Sequence, residues 1–515
     1  MSPTQIYLQY LQQLGLTLAP PWLEQVEQSL AETNWDDPQT LLDYHNIGIL
    51  ALLEAEQTDL PEMRGLYWET ALAAFQQGSA GYPLSTAHLA LMYALLQDPE
   101  TTFQLALPGL LQTVATSEAT TGTPWGLVYL PRSLTMELPE TLQRLLNAAQ
   151  GQEQAHLLAA IALGESQTVF YNAIGQRFLK IAAPLFPESV SLHLRQGIAE
   201  ILAQQWEGLL HLHQAERLQP HHPQTLLALH LAYRDLGQPE QAQHWYEQWS
   251  EQAQAIGTGW ATVAAQVTPQ SNLVPLAWES GWLMAEASFQ SLVTSVLLGA
   301  GDWFEAEMEF WRNSIQPGMT VIDVGANVGV YSLSAAQRVG AQGRVFAIEP
   351  FSGCVQALNA SKQVNQWSQL TICHGAASDR LGQSKLLLQS ASELNELVEE
   401  EQDLPPGSYE EVNCFTLDSL IDSYDIDRVD FLKIDAEGHE VPVLKGSDRI
   451  LREFKPVILY ENIAGGQGSN LAVAEWLLQH QYRLYCYQPF VQQLVAIDTL
   501  EDIHGNLNII AISAS

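Results

Sequence analysis

Basic residues are scarce in this 515-residue sequence, which has 21 lysines and arginines against 58 aspartates and glutamates and a formal net charge of −37. Proteins hold nucleic-acid phosphates mainly with lysine and arginine side chains, so a surface this acidic repels them. The anionic surface of a lipid bilayer repels it for the same reason. The charge therefore predicts that neither nucleic acid nor a membrane surface is a partner.

Long apolar runs and cysteine pairs are also lacking. No run approaches the roughly 20 apolar residues that a membrane span needs, and no basic residue precedes Arg64, as the start of a secretory signal would require. The cysteines lack the close spacing of a zinc or redox motif, which favours free thiols in a reducing compartment. They are Cys354, Cys373, Cys414 and Cys486. We therefore expect a soluble, cytoplasmic protein without a membrane span.

A helical pattern occupies the first half of the chain. From Met1 to about Gln254 apolar residues recur at three and four positions, which is typical of α-helices. Near the end of this region the pattern repeats with an offset of about 34 residues, the period of helix–turn–helix repeats. The segment LALHLAYRDLGQPEQAQHWYEQW (227–249) resembles a tetratricopeptide repeat. The residues that carry this resemblance are Leu229, Tyr233, Gly237, Ala242 and Tyr246.

The resemblance implies an all-α domain of tetratricopeptide-like helical repeats, which we place at residues 1–254. Such repeats stack into a superhelix with a concave face that binds other proteins. We expect this half to recruit a protein partner or the substrate, and a purely structural role is the alternative.

The pattern changes after a Gly-, Thr- and Pro-containing stretch at residues 255–275, which we interpret as a linker. From residue 276 to 515, short apolar runs such as TVIDVG and RVFAIEP alternate with helical segments. This alternation predicts an α/β domain with a mostly parallel sheet covered by helices.

A glycine-containing turn follows the first strong strand of this half. The turn reads DVGANVG (323–329), and ligands of open α/β sheets bind beyond such strand ends. A dinucleotide site needs glycine at the positions held by Asn327 and Val330, so the turn does not suit pyrophosphate. The next strand ends in Glu349, whose carboxylate is placed to accept ribose hydroxyls. A ligand with adenine and ribose but no phosphate fits both features, and S-adenosylmethionine is such a ligand.

The second half of the chain resembles the FkbM family of S-adenosylmethionine-dependent methyltransferases. The matching stretches run in the family's order: GDWFEAEMEFW, PGMTVIDVGANVGVYSL, GRVFAIEP, TLDSL, VDFLKIDAEGHEVPVLKG and VILYEN. The resemblance implies a class I methyltransferase fold, Rossmann-like with seven mostly parallel strands, and methylation of a hydroxyl on a sugar, glycan or natural product. It also implies a set of cofactor-binding residues, namely Asp323, Gly325, Asn327, Gly329, Glu349, Ala376 and Ala377.

The stretch KIDAEGHE (433–440) supplies the candidate catalytic residues. Deprotonation of a weakly acidic hydroxyl calls for a general base, for which Asp435 and His439 are candidates. Alternatively, Asp435, Glu437 and Glu461 hold a divalent cation, Mg²⁺ or Mn²⁺, that lowers the pKa of the hydroxyl. A third alternative is that the site only positions the acceptor.

The sequence therefore predicts an S-adenosylmethionine-dependent O-methyltransferase. Two other functions stay open: an interaction scaffold with a non-catalytic methyltransferase-like domain, and a small-molecule methyltransferase that dimerises through its helical half. The presence of Asp323, Glu349 and Asp435 together favours an enzyme, because a decayed site would have lost members of this set.

Overall fold

A computed structural model of the chain describes residues 3–13, 20–115, 126–130, 173–184, 186–389, 392, 395–398, 405–463 and 469–514. The chain divides into two compact units. The first comprises Met1–Leu192 with Gln488–Gln493, and the second comprises His193–Tyr487 with Leu494–Ser515. Among the described residues, no helix has the length and apolar character needed to cross a membrane.

The described part of the first unit is built mainly from helices. In chain order these are α1 (Pro3–Gln13), α2 (Pro20–Glu32), α3 (Leu41–Gln57), α4 (Pro61–Gly78), α5 (Pro83–Leu95), α6 (Pro99–Ala115) and α7 (Ala173–Ala182). Helix α3 begins with a capping box between Thr40 and Asp43, which satisfies backbone N–H groups that the first turn leaves unpaired. Helices α4 and α5 each begin with proline, which suits the first turn because it needs no N–H donor there.

Further helices follow at the positions of the predicted repeats, and the boundary between the two units falls within the first of them. They are α8 (Val190–Leu202), α9 (Gly208–Leu218), α10 (Pro223–Asp235), α11 (Pro239–Ile256) and α12 (Thr258–Ala264). A Cβ atom on Gly208 would lie 2.5 Å from the carbonyl oxygen of Gly197, so glycine allows the backbones of α8 and α9 to touch. Helix α12 lies within the stretch predicted as a linker. The assignment of these helices to the tetratricopeptide family stays a prediction.

Strands and helices alternate in the rest of the second unit. The strands are β1 (Leu273–Trp278), β2 (Gly281–Glu286), β3 (Thr320–Val324), β4 (Arg344–Glu349), β5 (Leu370–His374), β6 (Ala376–Ala377), β7 (Gly382–Leu387), β8 (Glu396–Val398), β9 (Tyr409–Phe415), β10 (Phe431–Ile434), β11 (Val457–Glu461), β12 (Tyr482–Gln488), β13 (Gln493–Ala496) and β14 (Asn508–Ser513). The helices are α13 (Leu292–Ala300), α14 (Glu307–Ser314), α15 (Val330–Val339), α16 (Ser352–Asn365), α17 (Leu417–Ser423), α18 (Glu440–Lys445), α19 (Asp448–Glu453) and α20 (Leu471–Gln479).

The main sheet has the order β13-β12-β14-β11-β10-β3-β4-β5. Strands β11, β10, β3, β4 and β5 are parallel, and β14 runs antiparallel between β11 and β12. This confirms the predicted α/β class with a mostly parallel sheet. The sheet has eight strands rather than the seven that the family resemblance implied, because β13 adds a short edge strand beside β12.

The register of the central strands brings the predicted site residues to one edge. Val324 is paired with Ile434 on one side and with Ile348 on the other, and Ile434 is paired with Tyr460. Four neighbouring strands therefore end side by side. Their side chains are buried on both faces, as expected for a parallel sheet between helical layers. A smaller sheet, ordered β6-β9-β7-β8, adjoins these strand ends.

Candidate active site

The glycine turn after β3 packs directly against the backbone that follows β10. Gly325 has φ +74°, a left-handed conformation, and a Cβ atom at this position would lie 1.6 Å from the carbonyl oxygen of Asp435. Only glycine can meet both conditions. Asn327 is also left-handed, with φ +48°, which asparagine tolerates better than most residues. The turn predicted from the sequence is thus held next to the predicted catalytic stretch.

A cavity of about 300 Å³ opens at these strand ends. Nine of the eleven site residues predicted from the sequence line it: Asp323, Gly325, Asn327, Glu349, Ala376, Ala377, Asp435, Glu437 and Glu461. Gly329 instead precedes α15 with φ +104°, where it ends the turn. The fold therefore gathers almost all of the predicted residues around one space.

Glu349 is held in place by the backbone on both sides of it. Its Oε2 accepts a hydrogen bond of 2.8 Å from the N–H of Asn327, and its Oε1 accepts one of 2.8 Å from the N–H of Phe351. Each carboxylate oxygen can accept a second hydrogen bond. Burial raises the pKa of Glu349 to about 7, although these two N–H groups oppose the shift.

Asp323 is buried at the end of β3, with 1% of its surface exposed. Its Oδ2 accepts a hydrogen bond of 2.6 Å from the Ser332 hydroxyl, while Oδ1 has no partner among the described residues. Burial raises the pKa of Asp323 to about 6, and the ammonium group of Lys433 acts in the opposite direction. A buried carboxylate oxygen that lacks a partner is costly, and a ligand in the cavity would relieve this cost.

Lys433 supplies the positive charge that balances Asp435. Its ammonium group lies 2.7 Å from Asp435 Oδ2 and 4.6 Å from the centre of the Tyr331 ring. Burial by itself would lower the pKa of this lysine, but Asp435, Asp323 and Glu305 raise it above its usual value. Its ammonium group is therefore placed to orient the Asp435 carboxylate.

Asp435, Glu437 and Glu461 form a carboxylate cluster. Each offers an oxygen, and these oxygens all lie within 4.8 Å of one another. Burial, together with the charge of Asp435, raises the pKa of Glu461 well above its usual value and that of Glu437 to about 7. Carboxylate oxygens at this spacing are suitable ligands for a hard divalent cation.

His439 is not brought to the cavity. It precedes α18, and its Nε2 lies 3.0 Å from the hydroxyl oxygen of Ser378. The chain turns just before it, at Glu437 and Gly438, which are both left-handed, and His439 is not among the residues that line the cavity. The structure therefore argues against the prediction that His439 is the general base. Glu440 stabilises the turn instead, since its Oε1 accepts hydrogen bonds from two backbone N–H groups.

Glu305, which lines the cavity, and its partner Asn508 were not identified from the sequence as members of the site. Glu305 Oε2 accepts hydrogen bonds from the Tyr331 hydroxyl, at 2.5 Å, and from the Asn508 side-chain amide, at 2.9 Å. Glu305 lines the cavity, and Asn508 lies behind it on β14, paired with Glu461. The position of Glu305 within the motif GDWFEAEMEFW was the available signal. Nothing in the sequence near Asn508 pointed to the site.

Acidic groups dominate the cavity wall. Among the described residues the lining contains one cationic side chain, Lys433, and six carboxyl groups. These are Glu305, Asp323, Glu349, Asp435, Glu437 and Glu461. Such a wall repels pyrophosphate or phosphate and attracts a cation, which agrees with the rejection of a dinucleotide site from the sequence.

Comparison with known proteins gives a family match for part of the chain. Residues 323–484 match the model of the methyltransferase FkbM domain, which is less than half of the chain. This match supports the resemblance inferred from the sequence for the C-terminal part. It begins at Asp323, the first residue of the cavity turn. Among proteins with curated functions, none matches the chain.

Solved structures similar to the chain include several methyltransferases. A methyltransferase FkbM from Methylobacillus flagellatus KT is 17% identical, with 44% of this chain and 53% of that chain covered and a TM-score of 0.25. A precorrin-6y C5,15-methyltransferase from Geobacter metallireducens GS-15 is 16% identical, with 40% of this chain and 88% of that chain covered and a TM-score of 0.25. An S-adenosylmethionine-dependent O-methyltransferase from Thermotoga maritima is 14% identical, with 41% of this chain and 66% of that chain covered and a TM-score of 0.23. The chain thus spans about half the length of the first of these.

Proposed function

We propose that the chain is an S-adenosylmethionine-dependent O-methyltransferase whose acceptor is a hydroxyl of a sugar, a glycan or a natural product. The observation that carries the proposal is the meeting of three strand ends around one anionic cavity. The three ends bear the turn after Asp323, Glu349, and Asp435. The match of residues 323–484 to a methyltransferase family supports the same conclusion.

The residues present fit this cofactor. The second acceptor position on each Glu349 oxygen suits a pair of ribose hydroxyls. Ala376 and Ala377 have small side chains and leave room for a flat ring beside the small sheet. The carboxylates of the wall favour a sulfonium cation electrostatically. When bound, the cofactor supplies a methyl group activated by that positive charge.

Asp435 is the residue we assign to the acceptor proton. Its carboxylate lines the cavity and is oriented by Lys433 at 2.7 Å. His439 is the other candidate from the sequence, and its ring contacts Ser378 outside the cavity lining. A general base must lie within hydrogen-bond reach of the proton that it removes, so Asp435 is the better candidate.

A divalent cation at Asp435, Glu437 and Glu461 is the alternative mechanism. The closeness of their oxygens favours it, because Mg²⁺ or Mn²⁺ would neutralise three carboxylates and lower the pKa of a coordinated hydroxyl. The two mechanisms differ in their requirements. If the cation is needed, chelation abolishes turnover and Mn²⁺ restores it, and Glu461→Gln lowers the affinity for Mn²⁺. If Asp435 acts as a base alone, chelation has no effect, whereas Asp435→Asn still abolishes turnover.

Calorimetric titration of the chain with S-adenosylmethionine tests the proposal. We expect binding by the wild type and binding at least about tenfold weaker for Glu349→Gln, which loses a charged acceptor of two ribose hydroxyls. Glu475→Gln, an exposed substitution on α20, serves as the matched control and should bind like the wild type. Absence of binding by the wild type would favour the alternative, an interaction scaffold with a non-catalytic domain.

The acceptor and the role of the helices belong to the same proposal. We propose that the helical half recruits a protein partner or the substrate, with dimerisation as the alternative. Mass spectrometry of cell-surface glycans with and without the protein tests the first part, since a methylated hydroxyl gains one methylene in mass. Sedimentation velocity of the purified chain tests dimerisation. A monomer would contradict it.

A further inference from the structure

The first unit holds an extended piece of its own chain in a groove between helices. The five residues 126–130, with the sequence GLVYL, are all buried. None of the described strands pairs with them. Side chains of the surrounding helices contact the segment, among them Tyr7 and Tyr10, which lie about 120 positions earlier in the sequence. The segment is thus enclosed by side chains rather than by a sheet.

Side chains satisfy the backbone of this segment. All four N–H groups from Leu127 to Leu130 donate to side chains on α1, α3 and α5. In chain order the acceptors are Asn46 Oδ1 at 2.9 Å, Tyr7 Oη at 2.8 Å, His88 Nε2 at 3.1 Å and Tyr10 Oη at 2.6 Å. Contacts to the main chain are how proteins bind extended peptides whose backbone would otherwise lose its hydrogen bonds to water.

The two tyrosines of α1 replace a neighbouring strand. The hydroxyl of Tyr7 accepts from the N–H of Val128 and donates to the carbonyl oxygen of the same residue at 3.0 Å. The hydroxyl of Tyr10 does the same for Leu130, donating at 2.8 Å. In an antiparallel sheet, paired residues also exchange two hydrogen bonds. Each tyrosine hydroxyl therefore supplies the two hydrogen bonds that Val128 or Leu130 would make with a paired strand.

The other two acceptors are oriented by bonds within the helices. The side-chain amide nitrogen of Asn46 donates to the hydroxyls of Ser29 and Thr33, at 2.9 and 2.7 Å, which turns its oxygen toward the segment. His88 Nδ1 donates to the carbonyl oxygen of Leu84 at 2.8 Å, so its Nε2 is the acceptor. The groove fixes these groups through its own helices, which is the pre-organisation that favours ligand binding.

The groove also selects side chains. A Cβ atom on Gly126 would lie 2.6 Å from His45 Cδ2 and 2.7 Å from the Tyr82 hydroxyl, so this position accepts only glycine. The Tyr129 ring stacks on Tyr10 with centroids 5.9 Å apart and an angle of 13°. The side chains of residues 127–130 are each 1% exposed or less. The matching ligand is thus an extended apolar peptide in which glycine precedes aliphatic and aromatic residues.

We propose that the first unit is a peptide-binding domain whose groove is occupied in cis by residues 126–130. Its partner is a peptide of the same chemistry in another protein, which competes with the tethered segment for the groove. A tethered ligand has an effective concentration in the millimolar range, so the intact chain resists exchange at micromolar peptide. This inference concerns a different unit from the proposed active site and does not depend on it.

Excision of the segment after folding tests the proposal. Recognition sites for a specific protease are introduced within residues 116–121 and 134–139 of the full chain, which is folded and then cut. The probe is a fluorescein-labelled peptide with the sequence of residues 123–132, and its uptake is followed by anisotropy. We expect the cut chain to bind the probe at micromolar concentration and to release its own fragment, detected by mass spectrometry. The intact chain should take up at least about tenfold less.

Variants of the groove make the test specific. Tyr10→Phe removes one donor and one acceptor for Leu130 and should weaken probe binding about tenfold. Tyr44→Phe removes a hydroxyl from α3 that has no bond to the segment and should leave binding unchanged. Failure of the cut chain to bind the probe, or loss of its helical circular dichroism on cutting, would show that the segment is an integral part of the core and overturn the proposal. Equal binding by Tyr10→Phe and the wild type would overturn it as well.

Discussion

Replacement of Gly325 by alanine tests the packing on which the candidate site depends. The new Cβ atom would lie 1.6 Å from the carbonyl oxygen of Asp435, against a normal separation of about 3.5 Å between non-bonded atoms. The ends of β3 and β10 would have to separate by roughly 1–2 Å to accommodate it. A left-handed alanine costs about 1–2 kcal/mol in addition.

The expected result has two parts. The free energy of unfolding of the second unit should fall by more than about 3 kcal/mol, because the left-handed backbone and the displaced strand end both contribute. Affinity for S-adenosylmethionine should fall about 100-fold or more, since a shift of about 1 Å spoils the alignment of binding groups. Scanning calorimetry measures the stability, and titration calorimetry measures the affinity. The unfolding transition of the second unit is identified in the wild type as the one that the bound cofactor shifts to higher temperature.

Gly301 offers a matched control. It is also left-handed, with φ +76° and ψ −9°, but no described residue has an atom within 4 Å of a Cβ atom placed there. Gly301→Ala should therefore cost only the backbone contribution of about 1–2 kcal/mol and leave cofactor affinity unchanged. If Gly325→Ala behaves like Gly301→Ala, the turn is not packed against Asp435 and the reasoning is wrong.

Three further predictions concern the buried charges. The pKa of Glu349 is raised to about 7, so its carboxylate is protonated below that pH and loses acceptors for ribose hydroxyls. Affinity for S-adenosylmethionine, measured by titration calorimetry, should therefore rise about tenfold from one pH unit below 7 to one unit above. Lys433→Met removes the ammonium group 2.7 Å from Asp435, and we expect a loss of up to about 3 kcal/mol of stability in chemical denaturation, together with a loss of turnover. Ser332→Ala leaves the buried Asp323 Oδ2 without its 2.6 Å donor and should cost about 1–3 kcal/mol in the same assay.

Each of these has its own control. In Glu349→Gln the affinity should no longer change with pH, and a persistent change would assign the titration to another group. Lys445→Met alters an exposed lysine on α18 and should change neither stability nor turnover. For Ser332→Ala, stability equal to that of the wild type would mean that Asp323 finds another donor.

Much of the candidate site could be predicted because its residues are close in sequence to the ends of strands. An apolar run followed by an acid predicts both a buried strand and a polar strand end, so Asp323, Glu349 and Asp435 followed from local pattern. Parallel strands end at a common edge, which explains why the cavity gathers residues from four of them. The prediction needed no knowledge of distant contacts.

Other residues could not be predicted in this way. The position of His439 depends on the turn that the left-handed residues Glu437 and Gly438 form before it, and His439 is not among the residues that line the cavity. Glu305 joins the site only because Tyr331 and Asn508 converge on it from 26 and 203 positions away. Such contacts depend on how α15 and β14 pack, and no local pattern encodes them.

The sequence by itself determined the helical first half, the mostly parallel sheet, the glycine turn and the acids at the strand ends, since each depends on the order of neighbouring residues. Tertiary structure alone decided the eighth strand and the pairing of Lys433 with Asp435. It also decided that residues 126–130 lie in a groove formed by helices far away in the sequence. The physical reason is that hydrogen bonding and burial act between groups that are close in space, whatever their separation along the chain.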